Sequence, residues 1–155
     1  MDDRKIDERT FDFALLVVDV YKFLLGKKEF VLSKQFLRAG TSIGANVSEA
    51  QAAQSRNDFI SKMSIASKEA RETLYWIRLL KKSGYLTGYS RLGLLEGEIS
   101  SIVKIITSIV KTTQNSKPKT KNCGLMLLVR EIRSIVKIIT RIVKTTQNSK
   151  PKTKN

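Results

Sequence analysis

Residues 92–111 read LGLLEGEISSIVKIITSIVK, and their spacing decides the fold. Leu92, Leu95, Ile99, Ile102, Ile106 and Ile109 recur at alternating intervals of three and four. An α-helix turns once in 3.6 residues, so the six side chains form one apolar stripe. Such a helix needs a groove in which to bury that stripe. Beyond it, residues 112–118 read TTQNSKP, which predicts a polar linker.

Working back from this helix, three more are expected. A helix over about residues 12–25 takes Phe11, Leu15, Val18, Tyr21 and Leu25 as its apolar face, with Gly26 at its C-terminal cap. A second begins at Ser33 as N-cap and carries Phe36, Gly40, Ile43, Val47 and Ala50 on one stripe. It is rich in small residues, and Gly40 and Gly44 inside it predict close approach of a neighbouring backbone, because interior glycine costs about 1 kcal/mol in helix propensity. The third opens on the capping box Ser55-Arg56-Asn57-Asp58 and ends before Gly84. Phe59, Met63, Ala66, Ala70, Leu74, Ile77 and Leu80 mark its buried stripe. No proline precedes Pro118, which suits long helices. The short turn from Gly84 to Tyr89 makes helices three and four antiparallel neighbours. The expected fold is all-α: an antiparallel up-down-up-down four-helix bundle over residues 1–114.

Residues 115–155 then repeat what came before. Residues 101–122 and 134–155 are identical except that Ser108 is replaced by Arg141. One slot in a bundle takes one helix, so the first copy is placed in the bundle. The second, over residues 125–144, is expected as an extra duplicated C-terminal amphipathic helix on a basic linker, dispensable for folding.

Charge follows the same division. The chain of 155 residues has a formal net charge of +15. Residues 1–100 hold 16 Lys and Arg against 13 Asp and Glu, while residues 101–155 hold 13 against Glu131 alone. Such asymmetry predicts an anionic partner, or else a solvated basic tail. There is no histidine and one cysteine, Cys123. The usual general base and the usual structural zinc sets are therefore missing. No phosphate-binding glycine loop or nucleophilic triad is present. No catalytic residue, cofactor or metal site is expected, and the chain is not expected to be an enzyme. The N-terminus has no basic start and apolar run of a signal peptide, and no apolar stretch is long enough to cross a bilayer. A cytoplasmic location is the expectation.

Arg38, Asn46 and Glu49 fall near the apolar stripe of helix two. Asn46 and Glu49 share a face and could bond across to helix three, for instance to Arg71 or Glu72; the expected role is to fix helix register, with ligand binding as the alternative.

Residues 42–50, SIGANVSEA, with Asn57-Asp58-Phe59-Ile60, the run ETLYWIRLL over 72–80 and Gly84-Tyr85-Leu86, resemble the bacterial four-helix bundle family named after 23S rRNA intervening sequences. Asn46 and Glu49 match its Asn-x-x-Glu positions and Glu72 a glutamate of its third helix. The resemblance implies a homopentamer. It extends to the accessory protein of diversity-generating retroelements, a basic pentamer associated with nucleic acid and a reverse transcriptase.

Three functions follow as expectations. The first is a scaffold that binds RNA or DNA through its backbone. Its phosphate contacts would be Lys104, Lys111, Lys117, Lys119 and Lys121, with the copies Lys137, Lys144, Lys150, Lys152 and Lys154. The second is a protein-interaction module without nucleic acid. The third is contact of the spare basic helix with a membrane surface.

Overall fold

The structure, a computed structural model, describes residues 5–116. Within them lie α1 (Ile6–Gly26), α2 (Leu32–Gln51), α3 (Arg56–Lys82) and α4 (Leu92–Asn115), and no strand. The chain divides into two compact units, Met1–Ser116 and Lys117–Asn155. The first is a four-helix bundle. The expected second copy of the last helix lies outside the described residues.

α4 buries the stripe that its spacing predicts. Leu95, Ile99, Ile102 and Ile106 are fully buried, and Leu92 and Ile109 pack against them half-buried. Each of the four fully buried side chains contributes about 1.5–3 kcal/mol on leaving water. The helix runs on to Asn115, so it takes four residues from the expected linker. Arg56, at the start of α3, donates to the carbonyls of Thr113 and Ser116. A cation there satisfies orphan carbonyls at the negative end of the helix dipole.

α3 begins as its capping box dictates. The Ser55 hydroxyl accepts the Asp58 N–H at 3.1 Å, and the Asp58 carboxylate accepts the Gln54 N–H at 3.2 Å. Met63, Ala66, Ala70, Ile77 and Leu80 are buried as the spacing predicts, together with Thr73. The Thr73 hydroxyl is satisfied by the Glu69 carbonyl at 2.8 Å, so the polar group costs little.

α2 keeps its expected stripe but not its expected cap. Ser33 is buried in the first turn, and its hydroxyl donates to the Glu29 carbonyl at 2.8 Å. Glu29 takes the capping role. Its carboxylate accepts the N–H groups of Val31, Leu32 and Ser33 at 3.0, 2.8 and 2.5 Å. Burial alone would raise the Glu29 pKa; those three backbone bonds and the Ser33 side chain outweigh it and hold the group below its ordinary value.

α1 departs furthest from expectation. It starts six residues early, with Asp7 and Glu8 at the positive end of its dipole. Its buried face is Thr10, Phe13, Leu16, Val17, Val20 and Leu24. Phe11 and Leu15, assigned to the core by spacing, are 65% and 56% exposed. The run FDFALLVV over 11–18 is apolar at nearly every position, so periodicity alone fits more than one phase. Contact with α2 selects among them: Gly40 receives Val17 so closely that an added Cβ would lie 2.6 Å from a Val17 methyl. Gly26 does not form the cap. Lys28 adopts the left-handed conformation, at φ 60°, while the Glu29 N–H reaches back to the Leu24 carbonyl at 3.0 Å.

α1 and α2 run in opposite senses, and so do α3 and α4. Gly40 faces Val17 and Gly44 faces Thr10, so numbers rise along α2 as they fall along α1. Arg71 meets Thr107 and Lys81 meets Glu96 between α3 and α4. The seam between α1 and α4 is polar at its rim. Arg9 and Glu98 form a two-pronged pair at 2.9 and 3.3 Å, and the Tyr89 hydroxyl donates to Asp19 at 2.8 Å. No helix among the described residues is long and apolar enough to cross a membrane.

Candidate functional site

On the face shared by α3 and α4, a shallow groove of about 510 Å³ is lined by Arg71, Val103, Lys104, Thr107, Ser108 and Lys111. The α4 residues lie at intervals of three and four, which sets them along one side of the helix. Their neighbours Ile102 and Ile106 point into the core, so the lysines are turned outward and are exposed. Arg71 crosses from α3 and donates to the Thr107 hydroxyl at 3.1 Å. That bond orients the planar guanidinium, whose other N–H groups remain for a ligand.

Among the described residues, no carboxylate lines the groove. An arginine fork and two lysine point charges beside two hydroxyls suit phosphate oxygens. The structure thus brings Lys104 and Lys111 together and adds Arg71, expected from sequence to serve Asn46 and Glu49 instead. Its spacing relative to Ala70 and Leu74 places it beside the core stripe, but only the partner helix shows that it faces α4. Lys117, Lys119, Lys121, Lys137, Lys144, Lys150, Lys152 and Lys154 lie outside the described residues.

The polar residues singled out in the sequence, Arg38, Asn46, Glu49 and Glu72, do not form one cluster. Asn46 bonds within α2, donating to the Ser42 carbonyl at 2.8 Å. Glu49 does reach α3, but its partner is Lys62. That hydrogen bond and the Glu49 charge raise the Lys62 pKa. Glu72 accepts the indole N–H of Trp76 one turn along its own helix at 3.2 Å. Arg38 is exposed. The expected bond from Asn46 or Glu49 to Arg71 or Glu72 is absent among the described residues. Asn46 lies one turn from a carbonyl that it can reach, and a shorter local bond wins.

Tyr89 is a structural pin. Burial, then its bond to Asp19, pushes its pKa up to about 12, so the hydroxyl stays protonated near neutrality.

A second surface is apolar. Phe11, Leu15 and Leu94 are exposed by 65%, 56% and 48%. Phe11 borders a hollow of about 500 Å³ shared with Gly44, Ala45 and Ser48 of α2. Leu15 and Leu94 border another of about 370 Å³. The sequence places Phe11 and Leu15 in the core because spacing does not tell the two faces of α1 apart.

The profile described as 23S rRNA-intervening sequence protein matches residues 2–108, which is most of the chain. The chain belongs to the 23S rRNA-intervening sequence protein family. A crystal structure of a protein of unknown function from the S23 ribosomal protein family of Bacteroides thetaiotaomicron is similar to it. The two are 47% identical with a TM-score of 0.66, over 69% of this chain and 99% of that one. No curated protein matches. The match thus covers the bundle, and the last seven residues of α4 and the second copy of the repeat lie past its end at residue 108.

Proposed function

We propose that this member of the 23S rRNA-intervening sequence protein family is a non-enzymatic, oligomeric, cytoplasmic scaffold that binds RNA or DNA through the phosphate backbone. The supporting observation is the groove of Arg71, Lys104 and Lys111, which gathers three cations with no lining carboxylate among the described residues. The strongly basic composition of residues 101–155 extends the same chemistry. Cations of this kind neutralise phosphates without reading bases. Affinity should therefore fall steeply with salt and depend little on sequence. Replacing Arg71, Lys104 and Lys111 by glutamine should flatten the slope of log affinity against log salt by about 0.7–0.9 for each phosphate no longer neutralised. A wild-type slope near zero for both RNA and DNA would rule the reading out.

The exposed Phe11, Leu15 and Leu94 favour a second reading, association with protein. Apolar surface of this kind marks an interface. The occupant favoured by the family resemblance is another copy of the chain, in a pentamer. Native mass spectrometry should show five chains. A monomer at micromolar concentration would refute self-association.

A further inference from the structure

The slot that α4 fills has a second candidate occupant in the same chain. Residues 125–149 align with residues 92–116 at a constant offset of 33, and the two stretches differ at five places. Those places correspond to Gly93, Glu96, Gly97, Ser100 and Ser108 of α4. Gly93, Gly97 and Ser108 are exposed, and Glu96 and Ser100 are half-buried. None belongs to the core.

Every core side chain of α4 is repeated. Leu95, Ile99, Ile102 and Ile106 are fully buried, and Leu128, Ile132, Ile135 and Ile139 are their counterparts. The half-buried Leu92, Val103, Ile109 and Val110 are matched by Leu125, Val136, Ile142 and Val143. The polar partners recur as well. Glu98, which holds Arg9 across the α1 seam, has its counterpart in Glu131, the only acidic residue past position 100. Thr107, which accepts from Arg71, corresponds to Thr140, and the Arg56 acceptors Thr113 and Ser116 correspond to Thr146 and Ser149. The Lys81–Glu96 pair alone has no equivalent, because Val129 stands at that place. At the two glycines a Cβ meets nothing within 4 Å, so the side chains of Met126 and Arg130 would start into open space.

We propose that residues 125–149 are an interchangeable fourth helix, able to take the α4 slot of their own chain when residues 92–116 leave it. The first copy is favoured by its short connection to α3 and by the Lys81–Glu96 pair. The cost of the longer connection grows only with the logarithm of its length. Exchange leaves the core unchanged and alters the surface. Arg130, Arg133 and Arg141 replace Gly97, Ser100 and Ser108, and Val129 replaces Glu96. Ser108 lines the basic groove, so Arg141 would add a fourth cation there.

The test uses the full chain with Cys123→Ser and disables the first copy by Ile102→Asn and Ile106→Asn. Arg71→Cys and Thr140→Cys then mark the exchanged register, with Arg71→Cys and Thr107→Cys in the chain whose first copy is intact as the reference pair. A short bis-maleimide should link the 71–140 pair within one chain to at least half the yield of the reference, and unfolding should stay cooperative. Adding Ile135→Asn and Ile139→Asn should abolish both. Loss of cooperative unfolding with the first copy alone disabled overturns the proposal. So does a folded protein whose 71–140 pair fails to link, or links only between chains. None of these readouts involves nucleic acid, so failure here is separate from failure of the binding reading.

Discussion

Gly40→Ala tests the tightest contact in the bundle. The added Cβ would lie 2.6 and 2.7 Å from the two Val17 methyls and 3.2 Å from its Cβ. Val17 is wholly buried and branched at Cβ, which restricts the rotamers open to it. Something must shift, and overpacking of this kind costs about 1–3 kcal/mol. Alanine offsets roughly 1 kcal/mol of that through helix propensity. The net loss is about 0–2 kcal/mol, at roughly 4–8 °C in Tm for each kcal/mol in a bundle near a hundred residues. The cause can be isolated with Val17→Ala, which removes both offending methyls. In that background Gly40→Ala should become neutral or stabilising, so a double-mutant cycle by urea denaturation should give a coupling of about 1–3 kcal/mol. Equal costs of Gly40→Ala in the two backgrounds would refute the packing argument.

Three further outcomes follow from the helix ends and the exposed face. Lys28→Gly should stabilise by about 1 kcal/mol in thermal or urea unfolding, since it relieves a left-handed non-glycine residue. Glu29→Gln should destabilise most near neutrality. The folded-state pKa of Glu29 is lowered, so its stabilisation is present above the ordinary value of 4.5 and is lost as pH falls through the folded value. The Tm gap between wild type and variant should therefore narrow below pH 4.5, and a constant gap would count against charge as the cause. Phe11→Ser with Leu15→Ser should lower the assembled mass in native mass spectrometry while helical content is kept, because neither side chain belongs to the core.

Residues 92–111 are legible in the sequence because polar residues interrupt the apolar ones at every turn, which leaves one phase for the stripe. The Ser55 cap is legible because its bonds are local. α1 is not: its apolar residues surround the helix, and the choice of face belongs to Gly40 on another helix. The α2 cap escapes notice for a related reason. Glu29 lies in a loop, and nothing in its neighbours announces that a buried carboxylate will gather three N–H groups. At the candidate site, charge and α4 spacing point to Lys104 and Lys111. Arg71 depends on the pairing of α3 with α4, which residue spacing on either helix does not contain.

The seam between α1 and α4 bears on the order in which the bundle assembles. Arg9–Glu98 joins residues 89 positions apart, and Asp19 meets Tyr89 of the turn before α4 across 70, whereas the other three helix pairs meet across short turns. Bringing such distant segments together costs more chain entropy than closing a hairpin. Helical hairpins should therefore form first, and the ring should shut on α1 and α4 afterwards. Interactions that form after the transition state act on the unfolding rate. Arg9→Met should accordingly hasten escape from the native state, raising the unfolding limb of a chevron while leaving the folding limb nearly in place. A matching drop in the folding rate would instead put the seam in the nucleus.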